Sequence, residues 1–264
     1  MTDAQLEQAL DITRKAVTGV ATKIKPYFGN VKTLNKGDGS SIGGVVTELD
    51  REAEQYLAQE LGKLSTDIGF RGEEFDVQSD KSTTWLVDPI DGTAHFIRGL
   101  PFCTTMVTLI ENGTVVMSVI HDFVRDDTYW AIRGKGAFCN DVPIHVSDRT
   151  LKQGLVSFET RLEKPDNLEK YLAVKAETAI IATINCGYEF AMIASGKLEG
   201  RIGLDPYGMD WDFAPGSLLV TEAGGRATNI GKTSYDYKNH DYIITNAVVH
   251  AELTSGPNPI FPNN

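Results

Sequence analysis

The sequence predicts a mixed α/β fold in two packed halves, and three observations carry that prediction. The apolar period is helical over residues 6–24 and 47–61 and becomes strand-like between residues 85 and 138. Beyond about residue 150 strand and helix patterns alternate. The chain has 264 residues, and at roughly 150 residues per domain this allows one large domain or two small ones sharing an interface. No repeat, low-complexity tract or flexible linker interrupts it. The expected organisation is therefore two intimately packed subdomains, 1–150 and 151–264, with any cleft between them.

Each element has its own signal. Leu6, Ala9, Leu10, Thr13, Ala16, Val17, Val20, Ala21 and Ile24 recur every three or four residues, which makes a long amphipathic helix ahead of Tyr27-Phe28-Gly29. A loop rich in Gly, Lys and Ser follows. Thr47-Glu48-Leu49-Asp50 opens a second helix through Ala53, Tyr56, Leu57 and Leu61, with Thr47 as N-cap. Trp85–Val87, Cys103–Ile110 and Val115–Ile120 read as strands, the last two joined by an Asn112-Gly113 hairpin turn. Thr128–Ile132 and Ala137-Phe138, linked through Gly134 and Gly136, extend an antiparallel meander. In the second half the expected order begins with a strand at Leu155–Phe158, a helix over Pro165–Glu177 and a strand at Ala179–Ile184. It continues with a helix over Glu189–Ala194, a strand near Leu198–Ile202, a helix from Trp211 to Ala223 stopped by Gly224-Gly225, and two late strands.

Composition narrows the function. With 41% hydrophobic and 23% charged residues, disordered and fibrous classes are out. The 25 Lys+Arg against 36 Asp+Glu leave a formal charge of -11. That charge repels phosphate backbones and anionic lipid, and no basic cluster offsets it, so neither nucleic acid nor a membrane is an expected partner. The acidity reads either as solubility or as carboxylates gathered around a cation. The N-terminus has no basic region leading into an apolar core, which gives a cytoplasmic expectation. Cys103, Cys139 and Cys186 lack any Cys-x-x-Cys pair and fit reduced, buried thiols without a zinc or disulfide role.

Acidic residues cluster beside turn formers in four segments. Gly72-Glu73-Glu74 follows the apolar Ile68-Gly69-Phe70 and sets two carboxylates at a strand end. In Asp88-Pro89-Ile90-Asp91-Gly92-Thr93 a buried-looking strand ends on two aspartates, with Pro89 fixing its own φ and pushing Asp88 to extended geometry. Gly92 allows a tight turn that leaves the Gly92 and Thr93 amides facing an anion. Asp212 in Trp211-Asp212-Phe213 opens a helix, which N-capping would also explain, and capping equally accounts for Asp50. The set offers oxygen donors without a neighbouring His or Cys, His95 being the sole candidate, and such sites suit Mg²⁺ or Mn²⁺ over zinc.

Gly72-Glu73-Glu74, the Asp88 to Thr93 hexapeptide, and Trp211-Asp212 followed by Glu222-Ala223-Gly224-Gly225 together resemble the inositol monophosphatase family, over the whole chain. These are Mg²⁺-dependent, lithium-sensitive phosphatases. The resemblance implies a layered α/β/α/β/α sandwich of the inositol monophosphatase and fructose-bisphosphatase type, usually a homodimer. It implies that Glu73, Asp88 and the Ile90 carbonyl hold one metal and that Asp88, Asp91 and Asp212 hold a second, with a third ion near Glu73. Two cations about 3.5 to 4 Å apart suit in-line phosphoryl transfer to water. Thr93 bonded to Asp50 resembles the pair that orients and deprotonates that water, and Glu74 resembles a carboxylate that tunes it from behind the metal. The phosphate is expected on the Gly92 and Thr93 amides, with Glu73, Ile90, Asp91 and Asp212 around it.

Three departures bear on the substrate. Phe75 stands where the family has Ser or Thr, and Ala94-His95-Phe96 replaces its usual continuation after Asp-Gly-Thr. Counting back from Ala194-Ser195-Gly196, the segment Ile184-Asn185-Cys186-Gly187 replaces Gly-Ser/Thr-Ala-Ala, which contacts the alcohol in the family. Asp205 occupies the place of an acid that grips substrate hydroxyls, and is equally a turn aspartate before Pro206. The expected activity is phosphomonoester hydrolysis on a small polyol or sugar phosphate. Histidinol phosphate, fructose bisphosphate and 3'-phosphoadenosine nucleotides are rival substrates, and an idle metal-binding regulatory protein is the alternative from another class.

Overall fold

The N-terminal apolar stripe is the buried face of α1 (Asp3–Ile24), with all nine positions from Leu6 to Ile24 turned inward. Thr2 and Gln5 close a capping box at its start. The computed structural model describes residues 1–30, 33–35, 45–75 and 81–263. The expected cap by the Thr47 side chain and the loop over 36–44 lie outside the described residues. Where the sequence suggested only loop, β1 (Thr33–Asn35) and β2 (Val45–Thr47) pair antiparallel. The following helix, α2 (Glu48–Leu61), buries Asp50, Ala53, Glu54, Leu57 and Leu61, so two carboxylates share its apolar face.

A seven-stranded sheet follows in chain order: β3 (Gly69–Gly72), β4 (Thr83–Asp91), β5 (Thr104–Glu111), β6 (Thr114–Asp122), β7 (Asp127–Ile132), β8 (Ala137–Cys139) and β9 (Val142–Pro143). β3 runs parallel to β4 and the other neighbours are antiparallel. The period of two sorts its side chains between layers. Val107 and Leu109 join the core beneath α1 and α2, while Met106 and Ile110 join the core on the opposite face. A short helix, α3 (Thr93–Arg98), leaves the end of β4.

The second half supplies β10 (Leu155–Thr160), α4 (Pro165–Glu177), β11 (Ala179–Ile181), α5 (Cys186–Ala194), β12 (Gly200–Leu204), α6 (Asp210–Glu222), β13 (Arg226–Asn229), β14 (Tyr242–Thr245) and α7 (Ala247–Thr254). Its five strands lie in the order β11-β10-β12-β14-β13, with the first three parallel. Apolar residues of α5 and α6 pack with Leu86, Met106 and Ile120 of one sheet and with Tyr242 and Ile244 of the other, so these helices fill the space between sheets. Val174 of α4 and Val249 and Leu253 of α7 pack with Val156, Ile202 and Ile243 on the outer face. The result is the α/β/α/β/α order expected. Boundaries moved where capping overrode hydrophobicity: the strand expected to reach Ile184 stops at Ile181, and the helix expected at Glu189 starts at Cys186, because Asn185 caps it.

Candidate active site

Two aspartates three residues apart on a regular strand point to opposite faces. In β4 the register slips between Asp88 and Asp91, and this irregularity brings both into one acidic cluster. Pro89 suits such a position because it has no N–H to give a ladder, and its carbonyl accepts from the Thr105 hydroxyl at 2.8 Å. Asp88 and Asp91 are 1% and 3% exposed. The chain then turns at Gly92, whose φ of 86° is left-handed, and enters α3. The Thr93 hydroxyl reaches Asp50 Oδ1 at 2.8 Å and the Ile90 carbonyl at 3.1 Å.

From α2, Glu54 lies one turn after Asp50 and is fully buried. Its carboxylate accepts from the Glu74 amide at 2.7 Å and the Phe75 amide at 2.8 Å, which fixes the turn that carries Glu73 and Glu74. Arg51 lies 4.0 Å from Glu74. Arg71 of β3 pairs with Asp210, the first residue of α6. Two positions further along α6, Asp212 Oδ2 accepts from the Met209 amide at 2.6 Å. The capping role and a place at the site thus coexist in Asp212.

Helix α5 closes the cluster from the other sheet. Asn185 Nδ2 donates to the carbonyls of Asp91 and Phe102 at 2.8 and 2.7 Å, and Asn185 Oδ1 takes the Cys186 amide. Asp91 Oδ2 accepts from the Gly187 amide and the Thr104 hydroxyl, both at 2.7 Å. A Cβ on Gly187 would sit 2.1 Å from Thr104 Oγ1, so only glycine admits this approach. Behind it, the fully buried Arg201 pairs with Glu189 and Glu159 and donates to the Tyr242 hydroxyl at 2.6 Å.

Electrostatics shows which acids converge. Burial holds the Asp88 carboxyl well above its usual range, and Glu73, Asp91, Asp212 and Asp50 push it in the same direction. Burial raises Asp91 to about 6, against the pull of its Thr104 and Gly187 hydrogen bonds. Burial and the Asp91 charge raise Asp212 to about 7. Asp88 Oδ1 is buried without a hydrogen-bond partner among the described residues. Mutual repulsion among buried carboxylates, together with an unsatisfied oxygen, fits a site for a hard divalent ion.

The sequence profile of the inositol monophosphatase family matches residues 5–257. The chain belongs to that family. An inositol-1-monophosphatase of Rhizobium meliloti is 33% identical over 231 residues, 83% of this chain and 85% of its own. A histidinol-phosphatase of Chlorobaculum parvum is 30% identical over 262 residues, 97% and 95% of the two chains. Among solved structures, an IMPase of Thermotoga maritima superimposes with a TM-score of 0.82 at 27% identity, covering 92% of this chain and 94% of its own. Membership in the inositol monophosphatase family makes the chain a phosphoric monoester hydrolase.

Not every expected residue points at the acids. Asp205 has a φ of 54° and its carboxylate pairs with Lys164 and, at 3.3 Å, with Arg161. Arg161 also stacks over the exposed Tyr207 ring at 4.3 Å. His95 packs edge-on against Phe102, and burial lowers its pKa. Cys186 stands beside the expected oxygen donors: its Sγ and one carboxylate oxygen each of Asp91 and Asp212 all lie within 4.8 Å of one another. The roles of Glu54, Thr104, Asn185 and Arg201 were not anticipated. Glu54 left a trace as a second charged residue beside Asp50 on the buried stripe of α2, and Asn185 as a member of the 184–187 segment that departs from the family pattern.

Proposed function

We propose that this chain hydrolyses the phosphate monoester of a small polyol or sugar, using two or three Mg²⁺ with Mn²⁺ as a substitute. The observation that carries the reading is Asp88, buried with an orphan oxygen among four other acids, beside the Thr93 and Asp50 hydrogen bond. Glu73, Asp88, the Ile90 carbonyl, Asp91 and Asp212 are the groups that would hold the ions. Bound cations supply the Lewis-acid charge that phosphoryl transfer to water requires.

The protein's own groups do the rest. Thr93 Oγ1 receives a proton from the attacking water as its own passes to Asp50 Oδ1, along the 2.8 Å bond between them. The Gly92 and Thr93 amides cradle the phosphate as the chain enters α3. Glu74, held through its amide by Glu54, lends negative charge behind Glu73. Asp205, the acid expected to grip substrate hydroxyls, is matched by two cations, Arg161 and Lys164. That balance favours a neutral polyol or an anionic sugar phosphate over the ammonium-bearing histidinol.

Three free cysteines agree with a reducing cytoplasmic setting, and no described helix is long and apolar enough to cross a membrane. Leu162, Leu168 and Leu172, each at least 39% exposed on or just before α4, offer apolar surface to a second copy in a homodimer. The deciding experiment is phosphate release from inositol, sugar and histidinol phosphates with Mg²⁺, against an Asp91→Asn control. Turnover that falls at least about 100-fold in the control supports the reading. Silence across the panel with Mg²⁺ and Mn²⁺, or full activity in Asp91→Asn, rejects it.

A further inference from the structure

Cys186 is a buried nucleophilic group that the proposed reaction does not use. It opens α5, and its Sγ, one Asp91 oxygen and one Asp212 oxygen lie within 4.8 Å of one another. The buried Oδ1 of Asp88, in the same acidic cluster, has no hydrogen-bond partner among the described residues, an independent sign that this pocket is built to meet a cation. Around a tetrahedral zinc ion, with Zn–S about 2.3 Å and Zn–O about 2.0 Å, sulfur and oxygen ligands stand about 3.5 Å apart. The three side chains therefore need to close in by at most about 1.3 Å, within the reach of small rotamer adjustments. A sulfur donor contributes little to Mg²⁺, which takes oxygen ligands, and much to a softer ion.

We propose that Cys186, Asp91 and Asp212 form a mixed sulfur and oxygen site for a thiophilic divalent cation of the zinc type. Such an ion excludes Mg²⁺ from the two carboxylates and acts as a reversible brake on hydrolysis. The braking effect rests on the phosphatase reading above, whereas the binding does not. On binding, the S–H bond breaks, its proton leaves to solvent, and the sulfur lone pair goes to the cation, with no change of oxidation state.

The test uses the metal-free full chain titrated with Co²⁺ and then Zn²⁺. A thiolate-to-cobalt charge-transfer band in the near ultraviolet is expected at one equivalent, displaced by Zn²⁺, absent in Cys186→Ser and retained in Cys139→Ser. By calorimetry Cys186→Ser lowers Zn²⁺ affinity by about tenfold or more, since even a partner behind a metal ligand costs 10 to 100-fold. Its Mg²⁺ affinity stays within about twofold. Cys186→Ala, compared by melting temperature, separates loss of the ligand from loss of the fold. No band, a band that survives Cys186→Ser, or unchanged Zn²⁺ affinity overturns the proposal. A band in a protein that releases no phosphate from any substrate supports the site and removes the phosphatase reading instead.

Discussion

Asp88 sets burial and charge repulsion directly against each other. One of its oxygens has no hydrogen-bond partner among the described residues, and Glu73, Asp91, Asp212 and Asp50 all oppose its charge. Asp91 at about 6 and Asp212 at about 7 are also raised. The folded metal-free protein therefore keeps protons that the unfolded chain releases from about pH 4 upwards. The stability these groups contribute is intact at low pH and is lost as pH rises through their folded values of about 6 and about 7. The melting-temperature gain from Mg²⁺ should accordingly widen from about pH 5 to about pH 8. A gain that is flat or shrinks over that interval would mean the acids are not in conflict. Asp88→Asn relieves the repulsion, so it should abolish activity yet raise the metal-free melting temperature by about 2 to 4 °C, about 1 kcal/mol at this chain length. A lower melting temperature would place Asp88 among the stabilising groups. The hexapeptide that holds Asp88 was legible in the sequence because its geometry is local: Pro89, Gly92 and the spacing of the acids. Cys186 was legible only as a member of the 184–187 segment, since it is the packing of α5 against β5 and the hydrogen bond from the Gly187 amide of that helix to Asp91 that bring the thiol to the acids.

At the scale of elements, the register slip in β4 and the cap of α5 solve the same problem from opposite sheets. The slip gathers Asp88 and Asp91, and Asn185 then clamps the Asp91 and Phe102 carbonyls while its helix gives the Gly187 amide to the Asp91 carboxylate. Asn185→Ala leaves two carbonyls without that donor, at a cost of about 2 kcal/mol. It should also loosen Asp91, so that the Mg²⁺ concentration for half-maximal activity rises about tenfold while saturating Mg²⁺ restores most of the rate. Lost stability with an unchanged Mg²⁺ requirement would make Asn185 a fastener of the fold and nothing more. The helices α1 and α4 were readable because each spans at least 13 residues of helical pattern. The six-residue α3, the eight-residue α7 and the three-residue strands β1 and β2 are too short for periodicity to show. They take their form from neighbours that sequence spacing does not reveal.

For the whole molecule, the middle layer decides whether the halves are separable. Every described strand of the seven-stranded sheet precedes residue 150, and every described strand of the five-stranded sheet follows it. The layer between them, α5 and α6, comes entirely from the second half. α5 buries eight of its nine residues, as a helix enclosed on all sides must. The first half alone would expose Leu86, Met106, Ile110, Val115, Ile120, Tyr129 and Ala131, a whole face of its sheet. It would also lack Asp212, Asn185 and the Gly187 amide around Asp91. At about 2 kcal/mol for each large apolar side chain left in water, that face costs about 12 kcal/mol, comparable to the whole stability of a typical domain. The fragment 1–150 should therefore show no cooperative melting transition and should bind a hydrophobic dye. Adding the fragment 151–264 should restore both a sharp transition and a Mg²⁺-dependent rise in melting temperature. If fragment 1–150 instead melts cooperatively and responds to Mg²⁺ alone, the acids of β4 and α2 suffice for the site, and α5 and α6 merely cover it.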